Sequence, residues 1–205
     1  MQVDEKTFFS YVDIHDAVDN VVDKLNAAQF KVDYIIAIGG GGLIPARIIR
    51  TVLRKPILCV TFEHYQEETN KRNEQIRTVQ WLDRPELIKG KNVILVDDCD
   101  ETRKTLEICV DKLKALSPAR IAVCVLHNKS GEKVGKLPAD VLYCFGEVVP
   151  PRWNAYPWDA LKYGNSIQAH EALCKKDRIE LRLHVGSFIF GMAVMAILSM
   201  NFAKH

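Results

Sequence analysis

Five short and uninterrupted apolar runs restrict the fold of this 205-residue chain more than any other feature. Each run is rich in Val, Ile or Leu, is too short for a typical helix, and ends in glycine, proline or polar residues. The predicted strands are Tyr34–Ile38, Pro56–Phe62, Asn92–Val96, Arg120–Leu126 and Val141–Phe145. Strands that are apolar along their whole length are typical of a parallel sheet buried on both faces.

Segments with helical periodicity separate these runs. Between Ile14 and Leu25, apolar side chains recur at spacings of three and four residues, with Asp and Lys between them. Leu43–Leu53 and Thr105–Leu116 have the same pattern. The alternation predicts an α/β fold in which helices flank a parallel sheet, with ligands at the carboxyl ends of the strands. The charged segment Glu63–Trp81 lacks such periodicity and predicts a long exposed loop, with at most ragged pieces of strand.

Four glycines, Gly39–Gly42, directly follow the first predicted strand. A backbone without side chains lets a ligand approach closely, and its N–H groups can turn toward an anion. Gly40 and Gly41 are therefore candidate phosphate-binding residues. A tight turn between a strand and a helix would need the same glycines, so the loop by itself leaves both readings open. No Lys-Ser/Thr pair follows, which argues against a P-loop, and the next strand lacks the acid of a dinucleotide-binding fold.

A cluster of acids follows the third predicted strand, and a basic, Thr-rich stretch follows the acids. The acids are Asp97, Asp98, Asp100 and Glu101, and the next residues are Thr102, Arg103, Lys104 and Thr105. Carboxylates accept hydrogen bonds from vicinal hydroxyls, whereas hydroxyls and amides at a helix N-terminus favour a phosphate monoester. The stretch therefore predicts a site for a ribose 5-phosphate. The alternative is an acidic helix cap, for which four acids are more than a cap requires.

Three motifs carry a resemblance to type I phosphoribosyltransferases, and together they cover about Phe8 to Asp159. "VILVDDCDETRKTL" resembles the family's motif for 5-phosphoribosyl 1-diphosphate (PRPP). "IGGGGLIPARIIR" resembles its diphosphate loop in the form of fungal-type hypoxanthine-guanine enzymes, and "RWNAYPWD" is similar to the purine-binding end of the hypoxanthine, guanine and xanthine branch. The resemblance implies the type I phosphoribosyltransferase fold with a mobile hood loop over the reacting centre.

The resemblance also implies roles for the residues around PRPP. Asp97 and Asp98 would contact the ribose hydroxyls and Mg²⁺, and Gly40 and Gly41 would bind the diphosphate. The 5-phosphate would be held by Thr102, Arg103, Lys104 and Thr105. Glu101 stands where the family usually has an Asp near the purine N7, so it is the candidate catalytic acid or base, with one methylene more. Tyr65, in the predicted hood, is the second catalytic candidate.

Three further residues match the purine-binding positions of the resembled branch. Lys129 would donate to the 6-oxo group, Trp153 would stack on the base, and Asp159 would lie near the purine 2-position and join a second Mg²⁺. From the residues alone, Lys129 is a surface lysine after a strand, and Trp153 fits core packing equally well.

The implied function is purine salvage, in which ribose 5-phosphate moves from PRPP to N9 of hypoxanthine, guanine or xanthine in an Mg²⁺-dependent homo-oligomer. Two alternatives stay open on the same fold: a non-catalytic regulator that binds PRPP or a nucleotide, and a membrane-tethered scaffold. Glu101 in place of Asp, and a glycine loop without a basic residue, would suit the regulator. The formal net charge of +2 gives no indication of a nucleic-acid partner.

The C-terminal end adds a hydrophobic segment, Val185–Ala203, which has no charged residue. Its length is close to the roughly 20 apolar residues that span a bilayer, and the basic flank before it predicts a cytoplasmic catalytic domain with a membrane anchor. The alternative is a helix buried in protein. The predicted organisation is a phosphoribosyltransferase domain at 1–165, a charged linker or helix at 166–184, and a hydrophobic helix at 185–203. The six cysteines form no C-x-x-C pair and are predicted to be reduced thiols.

Overall fold

The computed structural model describes residues 6–66, 71–163 and 166–176, without side chains for residues 64–66, 71–75 and 163. The described residues form two compact units, one of residues 12–151 and a smaller one of residues 6–11 and 152–176. The strands are β1 (Lys6–Phe8), β2 (Tyr34–Ile38), β3 (Ile57–Gln66), β4 (Lys71–Gln80), β5 (Asn92–Asp100), β6 (Arg120–Lys129), β7 (Leu142–Val149) and β8 (Trp153–Ala155). The helices are α1 (Tyr11–Ala27), α2 (Leu43–Leu53) and α3 (Lys104–Lys114), with 3₁₀ helices at Pro85–Ile88 and Pro157–Tyr163.

The larger unit contains a six-stranded sheet in the order β4-β3-β2-β5-β6-β7. Every neighbouring pair in it is parallel except β3 and β4. The central strand β2 pairs with β3 and β5, so that Ile36 lies opposite Leu58 on one side and Leu95 on the other. All five apolar runs are strands, which confirms the predicted mostly parallel sheet.

Both faces of the sheet are covered by helices, as the periodicity predicts. On one face, Leu106, Val110 and Leu113 of α3 join a buried cluster with Leu95 and Val123 of the sheet. Burial of each such side chain stabilises the fold by about 1.5–3 kcal/mol. Helix α1 buries the predicted apolar stripe, which consists of Ile14, Val18, Val21, Val22 and Leu25. It packs closely on β7, because a Cβ at Gly146 would lie 2.6 Å from the carbonyl oxygen of Ala17.

The predicted loop Glu63–Trp81 is wrong over most of its length. Strand β3 continues to Gln66, and β4 returns antiparallel to it, with register shifts between Thr61 and Phe62 and between Glu63 and Tyr65. Strand β4 lies at the edge of the sheet, where charged side chains are common and no apolar period is required. Its sequence therefore looks like a loop although its backbone is a strand.

Two further strands extend beyond their predicted ends. Strand β5 continues to Asp100, and the ladder to β6 pairs Asp97 with Val125 and Asp100 with Asn128. Strand β6 likewise continues to Lys129. Glu101 directly follows β5, whereas Asp97, Asp98 and Asp100 lie within it, in the part of the strand that runs past the core. The backbone ladder holds them in place even though their side chains are polar.

In the smaller unit, β1 and β8 form a parallel pair in which Lys6 lies opposite Trp153. The ring of Phe9 stacks on that of Tyr156 at a centroid distance of 5.6 Å, and His170 Nε2 lies 2.9 Å from the carbonyl oxygen of Phe9. Residues 167–176 are helical. The predicted hydrophobic helix at 185–203 lies outside the described residues, and so does the part of the 166–184 segment after 176. Among the helices of the described ranges, none has the length and apolar character needed to cross a membrane.

Candidate active site

A cavity of about 290 Å³ lies where the ends of β2 and β5 meet, within the larger unit. Gly39 and Gly41 of the glycine loop (Gly39–Gly42) form one wall, and Asp97 on β5 forms another. The segment between β5 and α3, here called the threonine loop (Glu101–Thr105), completes it. The two motifs that sequence reasoning associated with phosphate groups therefore line one strand-end cavity.

The glycine loop meets the β5 acids at close range. A Cβ at Gly41 would lie 2.3 Å from the carboxyl carbon of Asp98, so a side chain there would displace the carboxylate. Gly40 has a φ of +91°, which L-residues rarely adopt. The amides of Gly39 and Gly42 donate to backbone carbonyls. Those of Gly40 and Gly41 have no acceptor in the described part of the chain, which leaves two donors for an anion.

Asp97 and Asp98 are two successive acids near the carboxyl end of β5, where the amide of Asp98 donates to Asp97 Oδ1 at 3.0 Å. Burial and the charge of Asp98 raise the pKa of Asp97 well above its ordinary range. A cation or hydroxyl donors at this position would relieve that repulsion. Mg²⁺ in proteins is typically held by one or two carboxylates together with substrate phosphates. The pair therefore fits the predicted magnesium site, and the described residues include no group of three or more His, Cys, Asp or Glu side chains able to hold a metal.

In and beside the threonine loop, four successive carbonyls have protein donors. Lys133 Nζ donates to the carbonyls of Asp100 (2.6 Å) and Glu101 (2.9 Å), Gly135 N donates to that of Thr102 (2.9 Å), and Glu107 N donates to that of Arg103 (2.9 Å). The amides of residues 102–106 have no acceptor among the described residues. Amides at the start of a helix carry partial positive charge, so this wall of the cavity is suited to a phosphate.

The basic side chains of the threonine loop make contacts within the protein. Arg103 donates to Asp100 Oδ2 through Nε at 2.9 Å and Nη2 at 2.8 Å, and its guanidinium lies over the Tyr143 ring. Lys104 pairs with Glu107 at 3.2 Å. Arg103 has a φ of +69° at the start of α3. Arg103 thus offers the cavity its amide, while its charge is directed to Asp100.

Glu101 and Lys129 lie close together, as expected for residues that serve one purine. Lys129 Nζ is 3.8 Å from Glu101 Oε2. Lys129 is the last residue of β6 and is 7% exposed, so the surface-lysine alternative is wrong. The pair contributes a buried cation and a partly exposed carboxylate at the ends of neighbouring strands.

The remaining candidates lie elsewhere. Trp153 and Asp159 belong to the smaller unit, and their association with the strand-end cavity stays a prediction. Trp153 is 41% exposed, which speaks against core packing, and the Lys162 ammonium lies 5.7 Å from its ring centroid. Burial raises the pKa of Asp159, against the effect of Lys162. The backbone of Tyr65 pairs with Arg72 in the β3–β4 hairpin, and its side chain is not described.

Sequence reasoning gave no role to Asp100, Lys133, Gly135 or Tyr143, although all four support the threonine loop. The Tyr143 hydroxyl donates to Asp100 Oδ2 at 2.7 Å, and Lys133 Nζ lies 3.5 Å from Asp100 Oδ1. One available signal was the spacing of three residues between Asp100 and Arg103, which allows a local ion pair. Tyr143 gave no signal, because it lies in an apolar run.

Comparison with known proteins identifies a protein family, two yeast relatives and a solved structure that are similar to this chain. Residues 10–159 match the family described as the phosphoribosyl transferase domain. The chain is 32% identical to the hypoxanthine-guanine phosphoribosyltransferase of Saccharomyces cerevisiae, over 82% of this chain and 96% of that protein. It is 35% identical to xanthine phosphoribosyltransferase 1 of the same yeast, over 85% and 98%. A hypothetical protein from Neisseria gonorrhoeae, solved with bound ppGpp, is 39% identical with a TM-score of 0.77, covering 86% of this chain and 99% of that one.

Proposed function

The chain belongs to the phosphoribosyltransferase family, in the branch of the hypoxanthine-guanine and xanthine enzymes, and on that premise we propose that it is a purine salvage enzyme. It transfers ribose 5-phosphate from PRPP to N9 of a 6-oxopurine and releases diphosphate. The observation that carries this proposal is the strand-end cavity, which is lined by Asp97 and by residues of the glycine loop and the threonine loop. The amides of residues 40–41 and 102–106 in and beside these loops have no acceptor among the described residues.

In this proposal, PRPP lies along the cavity so that its 5-phosphate, ribose hydroxyls and diphosphate each contact a complementary group of the protein. The threonine loop takes the 5-phosphate through its amides and through the hydroxyls of Thr102 and Thr105. Asp97 and Asp98 accept hydrogen bonds from the ribose hydroxyls. The amides of Gly40 and Gly41 donate to the diphosphate. Mg²⁺, when bound by these aspartates and the substrate, would neutralise negative charge on the departing diphosphate.

The reaction needs no covalent nucleophile from the protein. The bond between the ribose C1 and the diphosphate oxygen breaks through an oxocarbenium-like state, and N9 of the purine forms the new bond to C1. The bonding electron pair leaves with the diphosphate. Glu101 accepts the proton that the purine gives up, because its carboxylate lies at the cavity rim. We assign to the β3–β4 hairpin, with Tyr65, the role of the hood that excludes water from the reacting centre.

Choice of base rests on Lys129, Trp153 and Asp159. The Lys129 ammonium donates to an oxo group at the purine 6-position, where adenine carries an amino donor and is rejected. The exposed Trp153 ring offers a stacking face. By resemblance to the family, we assign to Asp159 the purine 2-position, where it would also help to hold a second Mg²⁺.

A second candidate function is supported by the ppGpp bound to the Neisseria protein. This nucleotide combines a 6-oxopurine, a ribose and two diphosphates, so it carries the same groups as the substrates proposed for the strand-end cavity. The chain would then bind ppGpp as a regulator, or be inhibited by it as an enzyme. Titration of ppGpp in the presence and absence of PRPP shows whether the two ligands compete for one cavity. Turnover with a 6-oxopurine and PRPP, measured with and without ppGpp, separates an inhibited enzyme from a regulator.

Steady-state release of diphosphate tests the enzymatic proposal. Purified protein with PRPP and Mg²⁺ should release diphosphate when hypoxanthine, guanine or xanthine is added singly, and should not do so with adenine. Binding of PRPP without turnover on any of the three bases would favour the regulator.

Two finer proposals concern assembly and location. Val185–Ala203 is long and apolar enough to anchor the catalytic domain on the cytoplasmic side of a membrane. Carbonate extraction of membranes tests this, because release of the full-length chain into the supernatant would exclude an integral anchor. A homo-oligomer is proposed by analogy with the family, and light scattering after size exclusion, in detergent if needed, gives the mass that tests it.

A further inference from the structure

We propose that Lys133 and Asp100 form a brace that fixes the threonine loop in its phosphate-binding shape, which makes both of them positioning residues. The inference rests on the proposed function for the identity of the ligand, a ribose 5-phosphate group. The brace itself consists of contacts within the larger unit, between the end of β5, the segment Lys133–Gly135 and Tyr143 on β7.

Asp100 is the centre of the brace. Its side chain is fully buried and faces two cations and one hydroxyl. Arg103 and Tyr143 donate to Oδ2, and the Lys133 ammonium lies 3.5 Å from Oδ1. A buried carboxylate is costly unless it is paired and hydrogen-bonded, and removal of one partner leaves a charge that the interior solvates poorly. Asp100 therefore ties Arg103, in the middle of the threonine loop, to Tyr143 of the sheet.

Lys133 contributes a second, independent restraint on the backbone. Its ammonium donates to the carbonyls of Asp100 and Glu101 and lies at ion-pair distance, 3.5 Å, from Asp100 Oδ1. A carbonyl oxygen that faced the cavity would repel a phosphate. Because Lys133 binds these two carbonyls, their negative ends are directed toward a cation and not toward the anion site.

The residues after Lys133 continue the same restraint. Gly135 N donates to the carbonyl of Thr102, and a Cβ at Gly135 would lie 2.6 Å from the carbonyl of Arg103. The segment Lys133–Gly135 is thus pressed against the threonine loop, and any larger residue at 135 would move it. Since Glu101 is held through its own carbonyl, the brace also positions the proposed catalytic carboxylate.

Lys133→Met tests the brace, because it removes the ammonium and keeps the side-chain length. Lys136→Met is the matched control: Lys136 lies on the same stretch, is exposed, and contacts Glu107 through its backbone amide. In ligand-free protein, hydrogen–deuterium exchange at the amides of Glu107 and Gly135, which donate to carbonyls of the threonine loop, should be faster in Lys133→Met and unchanged in Lys136→Met. With PRPP, Lys133→Met should raise KM for PRPP about tenfold and change KM for the purine less than about twofold.

Equal exchange in the two lysine variants would overturn the brace, and so would equal changes of KM for PRPP and purine. Failure of the wild-type protein to bind PRPP would refute the proposed function and leave the exchange measurement to decide the brace. If Lys133→Met does not fold, Tyr143→Phe, which removes one donor to Asp100, should give the same pattern with smaller changes. Wild-type exchange rates in that variant would contradict the inference.

Discussion

The ammonium of Lys129 lies 3.8 Å from the carboxylate of Glu101, although the two residues serve different edges of the purine in the proposed complex. Lys129 ends β6, and Glu101 follows the last residue of β5, so the parallel ladder between these strands brings them together. The additional methylene of Glu, compared with Asp, extends its reach toward Lys129. A purine bound here would accept a hydrogen bond from the Lys129 ammonium. The Glu101 carboxylate would then be available to accept the proton that the purine gives up.

Substitution Glu101→Gln should lower kcat about a hundredfold, the range expected when a general acid or base is lost. KM for PRPP should stay within about threefold, because the phosphate amides are retained. Steady-state kinetics at saturating purine measure both constants. The exposed Glu132→Gln is the control and should keep wild-type kinetics. Retention of full kcat in Glu101→Gln would remove Glu101 from the reaction.

Substitution Lys129→Ala should reduce kcat/KM for hypoxanthine by about tenfold to a hundredfold, since a charged hydrogen bond to the 6-oxo group is lost. Affinity for PRPP, measured by calorimetry without purine, serves as the internal control and should change little. Equal losses for purine and PRPP would show that Lys129 supports the cavity generally and does not select the base.

Substitution Asp97→Asn should make the ligand-free protein more stable at neutral pH while it removes activity. Burial and the neighbouring Asp98 raise the pKa of Asp97, so between the ordinary value of 3.8 and the raised value the folded chain holds more protons than the unfolded chain. Stability that depends on this group therefore falls as pH rises through that window. We expect the midpoint of thermal unfolding of Asp97→Asn to exceed that of wild type by a few degrees at pH 7, and the difference to vanish in acid.

Exposed Asp83→Asn is the control for this pH series and should follow the wild-type curve. A lower unfolding midpoint for Asp97→Asn than for wild type at pH 7 would contradict a strained carboxylate at this position. Addition of PRPP with Mg²⁺ should stabilise wild type more than the variant, because a ligand stabilises the form that binds it.

Alanine at Gly41 should act mainly on activity, whereas alanine at Gly40 should act mainly on stability. Gly41→Ala places a methyl group on the Asp98 carboxylate, and displacement of that group should lower kcat/KM about tenfold or more. Gly40→Ala meets no atom within 4 Å but strains a φ of +91°, so it should cost about 1–2 kcal/mol of stability with a smaller loss of kcat/KM. Chemical denaturation and steady-state kinetics separate the two effects. The reverse ranking would place the ligand away from Asp98.

The strands of the sheet were predictable from sequence wherever burial on both faces requires a continuous run of apolar residues. Strands β2 and β5 are covered on both sides and carry continuous apolar runs, so their existence and order along the chain follow from the residues. Strand β4 has no continuous apolar run, because an edge strand can tolerate charged side chains and its pairing with β3 is made by backbone groups. The extension of β5 through Asp97 to Asp100 was hidden for a different reason: this end of a central strand carries polar side chains, and only its backbone ladder with β6 shows that the strand continues.

The candidate site was predictable in its chemistry and less so in its support. Adjacent acids and a Thr-rich helix start indicate hydroxyl and phosphate groups without knowledge of the fold. The contact of Tyr143 with Asp100 spans 43 positions of sequence and exists only because β6 and β7 extend the sheet beside β5. Lys133 lies in a polar stretch whose sequence gives no indication of its role. Residues that position a loop from a distant strand have no local pattern by which sequence could identify them.

The central claim, transfer of ribose 5-phosphate to a 6-oxopurine, is tested most directly by product identification in a competition experiment. Purified protein is incubated with PRPP, Mg²⁺ and an equimolar mixture of hypoxanthine, guanine, xanthine and adenine, and the nucleotides are identified by mass spectrometry, with Asp98→Asn protein as the control. We predict the monophosphate of at least one 6-oxopurine, no adenosine monophosphate, and no product with the control. Absence of every 6-oxopurine nucleotide, or formation of adenosine monophosphate alone, would contradict the account.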